Sequence, residues 1–316
     1  MSSSSRGLVR VDVDDALICR EGDQSADHCA PGSAQAIAVG SSTLHRVSEL
    51  LVPVDLSHGS WRVLPVATSI ARRLSIPVVP LFVDVSTVDM NAALGGSLLL
   101  NATVAGEPVS VEVVPGSDVV HAIQSRADRR VSVVVLSAFG SGALDKGGRE
   151  SICLDLLRTR DASVVAVGPK FDAERHADVR RVVVCIDSAA PDTELVRDAL
   201  GWAEALGVGM LVVTVEGRGR SRPGEDETYQ VLAAIFEDLP PTFVAVTAEV
   251  LDEPDVATAI VAFANRRPGT LLALAPGADA RAVHSMTHSV TTHVARETGA
   301  PMLLRWHRPG AVPPPS

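Results

Sequence analysis

The chain has 316 residues, room for two domains of ordinary size. Apolar residues make up 46% and charged residues 21%, the balance of a folded globular protein, so wholesale disorder is excluded. A formal net charge of −10 argues against a surface that wraps nucleic acid, and 3% aromatics leaves few rings for stacking bases.

Residues 1–47 are rich in Ser, Gly, Asp and Ala and hold no sustained period, so they read as a mobile or peripheral N-terminal extension. Leu8 to Val13 is compatible with a short strand, and Asp12, Asp14 and Asp15 read as a solvated charge run. The start lacks the apolar core, roughly 7–15 residues long, of a secretory signal. No apolar run approaches the ~20 residues that span a bilayer. The expected setting is therefore the cytoplasm, with no membrane partner. Cys19, Cys29, Cys153 and Cys185 form no CxxC pair and are expected to act as small apolar side chains.

Runs dense in β-branched residues follow: Leu50 to Val54, Val78 to Val85, Val109 to Val114, Val131 to Leu136 and Ser163 to Val167. The series resumes with Arg181 to Ile186, Met210 to Val215, Phe243 to Val250, Thr270 to Ala275 and Pro301 to Arg305. Most are continuously apolar rather than alternating, the mark of parallel strands covered on both faces. Between them, Arg62 to Leu74 and Glu194 to Leu206 carry helical spacing, and Asp118 to Ala127 and Asp255 to Ala264 predict a helix before the fourth strand of each half. The expected fold class is α/β: two tandem Rossmann-like domains, each a five-stranded, mostly parallel sheet with helices on both faces. Residues 308–316 form a proline-rich tail that continues neither helix nor central strand.

The halves repeat one another. VPVDLSHGS at 52–60 matches VCIDSAAPD at 184–192, and the closing segments 151–168 and 289–306 also correspond. Asp55 to Asp187 is 132 residues and Ser151 to Ser289 is 138, a period that duplicates a whole domain. The expected units are residues 48–170 and 179–307.

In open parallel sheets ligands bind beyond the carboxyl ends of the strands, where strand order reverses. Asp55 and Asp187 stand there, and each can either accept hydrogen bonds from a ligand or cap its own turn. No GxGxxG follows the first strand and no GxxxxGK[ST] occurs, which disfavours dinucleotide and P-loop sites. After the fourth strand, SAFGSGALDKGGRES at 137–151 is a glycine-rich loop opening onto a helix near Ser151, a setting that suits phosphate. His284 and His288 share a helix face, but no HExxH glutamate accompanies them, so no metal site is assigned. No nucleophile or acid–base pair presents itself, and no catalytic residue is assigned.

The repeated strand–Asp–Ser–helix opening, the loop after strand four, the Ser that begins a helix and the closing (A)PxLL strand resemble the universal stress protein family. The resemblance spans nearly the whole folded body as a tandem pair; LLVPVDLSHGSWRVLPVATSIARRL and GAPMLLRW carry it most strongly. It implies domains of the adenine nucleotide alpha hydrolase-like kind. It also implies a nucleotide site, ATP with Mg, in which Asp55 and Val83 meet adenine and ribose. Gly140, Ser151 and the backbone of Ile152 would then meet the phosphates. Asp187, Val215 and Ser289 are the weaker counterpart set in the second half.

The family's nucleotide-binding branch carries G-x2-G-x9-G-[ST]. The first half reads Ser137-x2-Gly140-x9-Glu150-Ser151, and the second reads Ala275-x2-Ala278-x9-His288-Ser289. Glu150 brings a carboxylate to the phosphate position, a repulsion on the order of 4 kcal/mol at ~4 Å and an effective dielectric near 20. Lys146, Gly147, Gly148 and Arg149 could offset it from a shifted register. Two readings stay open: a non-catalytic cytoplasmic regulator or scaffold with degraded nucleotide motifs, and an ATP-binding sensor with slow hydrolysis. By the same resemblance the two repeats are expected to pair within the chain through their last strands, with homodimerisation and an unidentified protein partner beyond that.

Overall fold

Leu50, Leu51 and Val52 are each fully buried, so three consecutive side chains, pointing alternately to opposite faces, all leave water. That is possible only in a strand covered on both sides, and the whole architecture follows from it. The computed structural model describes residues 5–12, 17–20, 47–55, 59–84, 98–104, 107–130, 132–138, 152–159, 163–216, 225–275 and 290–305.

Two strands come from the leading segment, β1 (Ser5–Asp12) and β2 (Leu17–Arg20). The first half then runs β3 (Glu49–Val54), α1 (Leu64–Leu74), β4 (Val78–Asp84), β5 (Leu98–Val104), β6 (Glu107–Pro115), α2 (Val119–Arg129), β7 (Ser132–Ser137), α3 (Ile152–Thr159) and β8 (Val164–Val167). A short helix, α4 (Ala173–His176), stands in the connection. The second half runs β9 (Arg181–Ile186), α5 (Thr193–Leu206), β10 (Gly209–Glu216), α6 (Glu225–Glu237), β11 (Val246–Asp252), α7 (Val256–Arg266), β12 (Thr270–Leu274), α8 (Val290–Glu297) and β13 (Met302–Leu304).

All the strands belong to one 13-stranded sheet in the order β2-β1-β11-β10-β9-β12-β13-β8-β7-β3-β4-β6-β5. Within each half the core strands are parallel, in the Rossmann-like arrangement expected. The halves meet where β13 lies antiparallel to β8, with Leu303 opposite Val165. Val52, Val165, Val182 and Leu303 share one apolar core with the inner faces of α1, α5 and α6. Leu51, Val164, Val183 and Leu304 share the other with α2, α3, α7 and α8. Each core therefore runs unbroken across the junction.

Helix boundaries follow local chemistry. Asp118, Asp192 and Asp255 cap α2, α5 and α7, each carboxylate accepting a backbone N–H three residues on, from His121, Leu195 and Thr258. The helix expected from Arg62 begins instead as a short 3-10 turn over Ser60–Val63, and α1 starts at Leu64 with Pro65 in its first turn.

Among the described residues the two halves differ in what stands before their third parallel strand. Between β4 and β6 the described residues hold β5, antiparallel to β6, where the second half has helix α6 between β10 and β11. The stretch LLLNATV has no helical period but high strand propensity, and the strand count of the first half rises accordingly. The second half gains its matching outer strand from the leading segment: β1 lies antiparallel to β11.

Candidate functional site

Strand order reverses between β3 and β7 in the first half and between β9 and β12 in the second. Asp55 and Asp187 directly follow β3 and β9, at the carboxyl-end crevice where open α/β sheets bind ligands. The last paired residues of β3 and β4 are Val54 and Phe82, so Asp55 stands level with Val83. The last paired residues of β9 and β10 are Ile186 and Thr214, so Asp187 stands level with Val215. Two of the sequence-predicted residues in each half are thus neighbours, related by the same step.

Each aspartate is bonded within the turn that follows its strand. Asp187 Oδ1 accepts the Ala189 backbone N–H at 3.0 Å, and its carbonyl accepts the Ala190 N–H at 3.1 Å, closing a tight turn before the Asp192 cap. Its carboxylate is engaged by its own loop, the turn-capping alternative. At Asp55 the backbone N–H donates to Ser60 Oγ at 3.3 Å, and Ser60 is buried at the head of the 3-10 turn.

Val83 is buried, and the wall beside it depends on Gly116. A Cβ there would stand 3.0 Å from the Ala122 Cβ and 3.4 Å from Val83 Cγ1. The bare backbone of Gly116 lets the first turn of α2 close against β4.

Ile152 is the first residue of α3 and is 41% exposed; Val290 holds the same position on α8 and is 40% exposed. Exposed apolar side chains thus begin both closing helices. Behind Ile152, Cys153 is buried and burial pushes its thiol up to about 12, and Cys185 on β9 is likewise pushed up to about 12. Neither offers a thiolate at neutral pH. In the second half Thr291 Oγ1 donates to the Ala275 carbonyl at 3.2 Å, tying the start of α8 to the end of β12. Gly140, Ser151 and Ser289 lie outside the described residues, as do Glu150 and His288. Of the residues that the resemblance implies, Asp55, Val83, Ile152, Asp187 and Val215 are therefore the described ones.

A charged cluster that the sequence reading missed lies at the other end of the sheet. Arg126 on α2 donates to Glu49 on β3 at 2.5 Å and to Glu112 on β6 at 2.7 and 2.8 Å, while Ser132 Oγ donates to Glu49 at 2.7 Å. Hydrogen bonding to Glu112 holds the Arg126 guanidinium well above its ordinary range. The available signal was a Glu opening one apolar strand run and an Arg on the apolar face of a helix, which only three-dimensional proximity connects.

Among the described residues no helix is long and apolar enough to cross a membrane, and no group of three or more His, Cys, Asp or Glu side chains is placed to hold a metal ion.

No protein-family model matches the sequence, and no curated protein matches it. Solved structures do match. A universal stress protein from Archaeoglobus fulgidus DSM 4304 superposes with TM-score 0.55 at 16% identity, covering 84% of this chain and 98% of that one. A protein of unknown function, PA1789 from Pseudomonas aeruginosa PAO1, superposes with TM-score 0.54 at 13% identity, covering 84% and 95%. A universal stress protein solved in complex with cAMP covers 40% of this chain and 95% of its own at TM-score 0.33 and 17% identity. Across most of its length, then, the chain has the Rossmann-like α/β fold of a solved universal stress protein.

Proposed function

We propose that the chain is a tandem universal stress protein: a non-catalytic regulator or scaffold in a cytoplasmic stress response, with residues 48–170 and 179–307 acting as an in-chain pair. The observation that carries this reading is the recurrence of Asp55 level with Val83, and Asp187 level with Val215, at the two strand-order reversals of one sheet. The ligand-binding architecture is duplicated, while its phosphate motif has lost glycines in both halves and gained Glu150 in the first. Heat-denaturing the purified protein and chromatographing the supernatant tests it. The expected result is no released adenine nucleotide, and no calorimetric heat on adding ATP with Mg. Stoichiometric nucleotide would overturn it.

The second reading is an ATP-binding sensor with slow hydrolysis, using the first half. Two observations favour it: Asp55 stands beside buried Val83, and Ile152 is exposed at the start of α3, where the first backbone N–H groups of a helix lack intrahelical partners. When bound, ATP with Mg would supply the phosphate to be sensed; Asp55 and Val83 would hold its base and ribose, and the Ile152 backbone its phosphates. On this reading Asp55→Ala weakens binding by about tenfold or more, the loss of one good hydrogen-bonded contact. Glu150→Gly tightens binding by removing the opposing charge. Equal affinities in all three proteins would remove it. Homodimerisation and an unidentified protein partner extend the scaffold reading, with dimer mass in solution as the check on the first.

A further inference from the structure

The strands flanking β6 and β11 on their outer sides are supplied by different means. In the first half β5 covers the outer side of β6 as a hairpin neighbour, two residues away in sequence, with Leu99 opposite Glu112. In the second half the segment between β10 and β11 holds helix α6, and the strand beside β11 is β1, with Leu8 opposite Glu249, Val9 opposite Ala248 and Arg10 opposite Thr247. Glu112 and Glu249 are themselves equivalent, since they pair in register with Leu81 and Val213. A strand from more than 200 residues away thus occupies the place that β5 fills locally.

The need for a strand there is physical. With β1 in place Ala248, Glu249, Val250 and Leu251 are all buried, and the outer N–H and C=O groups of β11 find their partners in that strand. The connection also has slack. From β2 to β3 the sheet order takes nine steps, roughly 43 Å at ~4.8 Å per strand. The 28 residues between Arg20 and Glu49 extend to at most about 92 Å. The strand can leave and return without either half being pulled apart.

We infer that the outer edge of β11, over Val246–Asp252, is a strand-acceptor site for an extended peptide, and that the chain's own Ser5–Asp12 segment is its tethered occupant. Recognition is by the backbone ladder, as in other strand-addition sites. Register and the irregularity between Ser5 and Leu8 set the phase. Tethering gives the in-chain strand an effective concentration of about millimolar, so it excludes free peptide at micromolar levels. The site opens to other extended segments once β1 is displaced.

The test uses the full chain carrying Val9→Pro and Arg10→Pro, which removes one N–H from the β1–β11 ladder and one from the β1–β2 ladder and leaves residues 47–305 unchanged. A fluorescent peptide of sequence SRGLVRVD is expected to bind this variant and not the unaltered chain at the same micromolar concentration. Amide exchange at those residues of Thr247–Leu251 whose N–H faces β1 rather than β10 should rise at least tenfold in the variant and fall again with saturating peptide. A folded variant that ignores the peptide, or keeps these amides as protected as before, overturns the inference. A second arm does not depend on that variant: Val9→Cys with Ala248→Cys, oxidised at high dilution, should give a 9–248 disulfide within one chain, because facing antiparallel residues lie within bridging distance. Absence of that bridge, or bridges only between chains, also overturns it.

Discussion

Arg126 Nη1 donates to Glu49 Oε1 at 2.5 Å, and both side chains are almost wholly removed from solvent. Glu112 takes the other edge of the same guanidinium at 2.7 Å, so one cation serves two carboxylates under α2. The second half solves the same problem with different residues. Glu249, equivalent to Glu112, is met at 2.6 Å by Arg267, and Phe263 stands where Arg126 does, with the Arg267 guanidinium 3.8 Å from its ring centroid.

Removing the shared cation leaves buried negative charge behind. Arg126→Met is expected to destabilise the protein by about 3–5 kcal/mol, while Arg126→Met with Glu49→Leu and Glu112→Leu recovers most of the loss. Urea unfolding midpoints of the two variants check this. A triple variant as unstable as the single one would mean that the charges are not the cause.

The junction between halves is close-packed at Gly168, where a Cβ would come within 1.9 Å of the Ala295 carbonyl oxygen on α8. That contact is with backbone, which cannot rotate aside. Gly168→Ala is expected to cost at least about 1–3 kcal/mol. Leu303→Pro attacks the same junction through the ladder, because β13 lies between β12 and β8, and should cost ~3 kcal/mol or more and raise binding of an apolar dye. Thermal scans and dye fluorescence report both; unchanged compactness in Leu303→Pro would count against the pairing of the halves.

Helices α1 and α5 end alike, on residues in the left-handed region: Ser75 at φ 56° and Gly207 at φ 64°. Each cap N–H reaches back to the last turn, and only glycine holds that conformation without a Cβ penalty. Ser75→Gly should therefore stabilise by up to ~1 kcal/mol and Gly207→Ser destabilise by a similar amount. Opposite shifts in melting temperature are the expected readout.

His176 in α4 is 1% exposed, and among the described residues its Nδ1 has no hydrogen-bond partner. Burial holds its pKa below the ordinary value, Arg175 adds to this, and Asp172 opposes it. The unfolded chain then binds its proton at higher pH than the folded one, so stability falls as pH drops below the unfolded value of about 6.5. His176→Phe should flatten that part of the curve between about pH 7 and pH 5 in urea titrations. An unchanged slope would mean that another group carries it.

The placement of the two aspartates after their strands was legible because the chain says it twice. Asp55 and Asp187, set 132 residues apart after continuous apolar runs, needed only the rule that ligands gather at carboxyl ends. What the letters could not reveal was how each carboxylate is used. Whether Asp187 bonds to Ala189 depends on the turn geometry that SAAPD adopts. Glu49, Arg126 and Glu112 were invisible for a related reason: each is unremarkable in its own element, and only packing brings them within hydrogen-bond reach.

The sequence by itself determined the class: parallel strands read from unalternating runs such as RVVVCI, two copies from the period, and no P-loop from the missing motif. These properties are local or periodic, so they survive without coordinates. Tertiary structure decided which strands are neighbours. It joined β8 to β13 into one sheet, set β5 beside β6, and set β1 beside β11. Strand pairing is a choice among distant partners with similar backbone chemistry, settled by which edge each core leaves open.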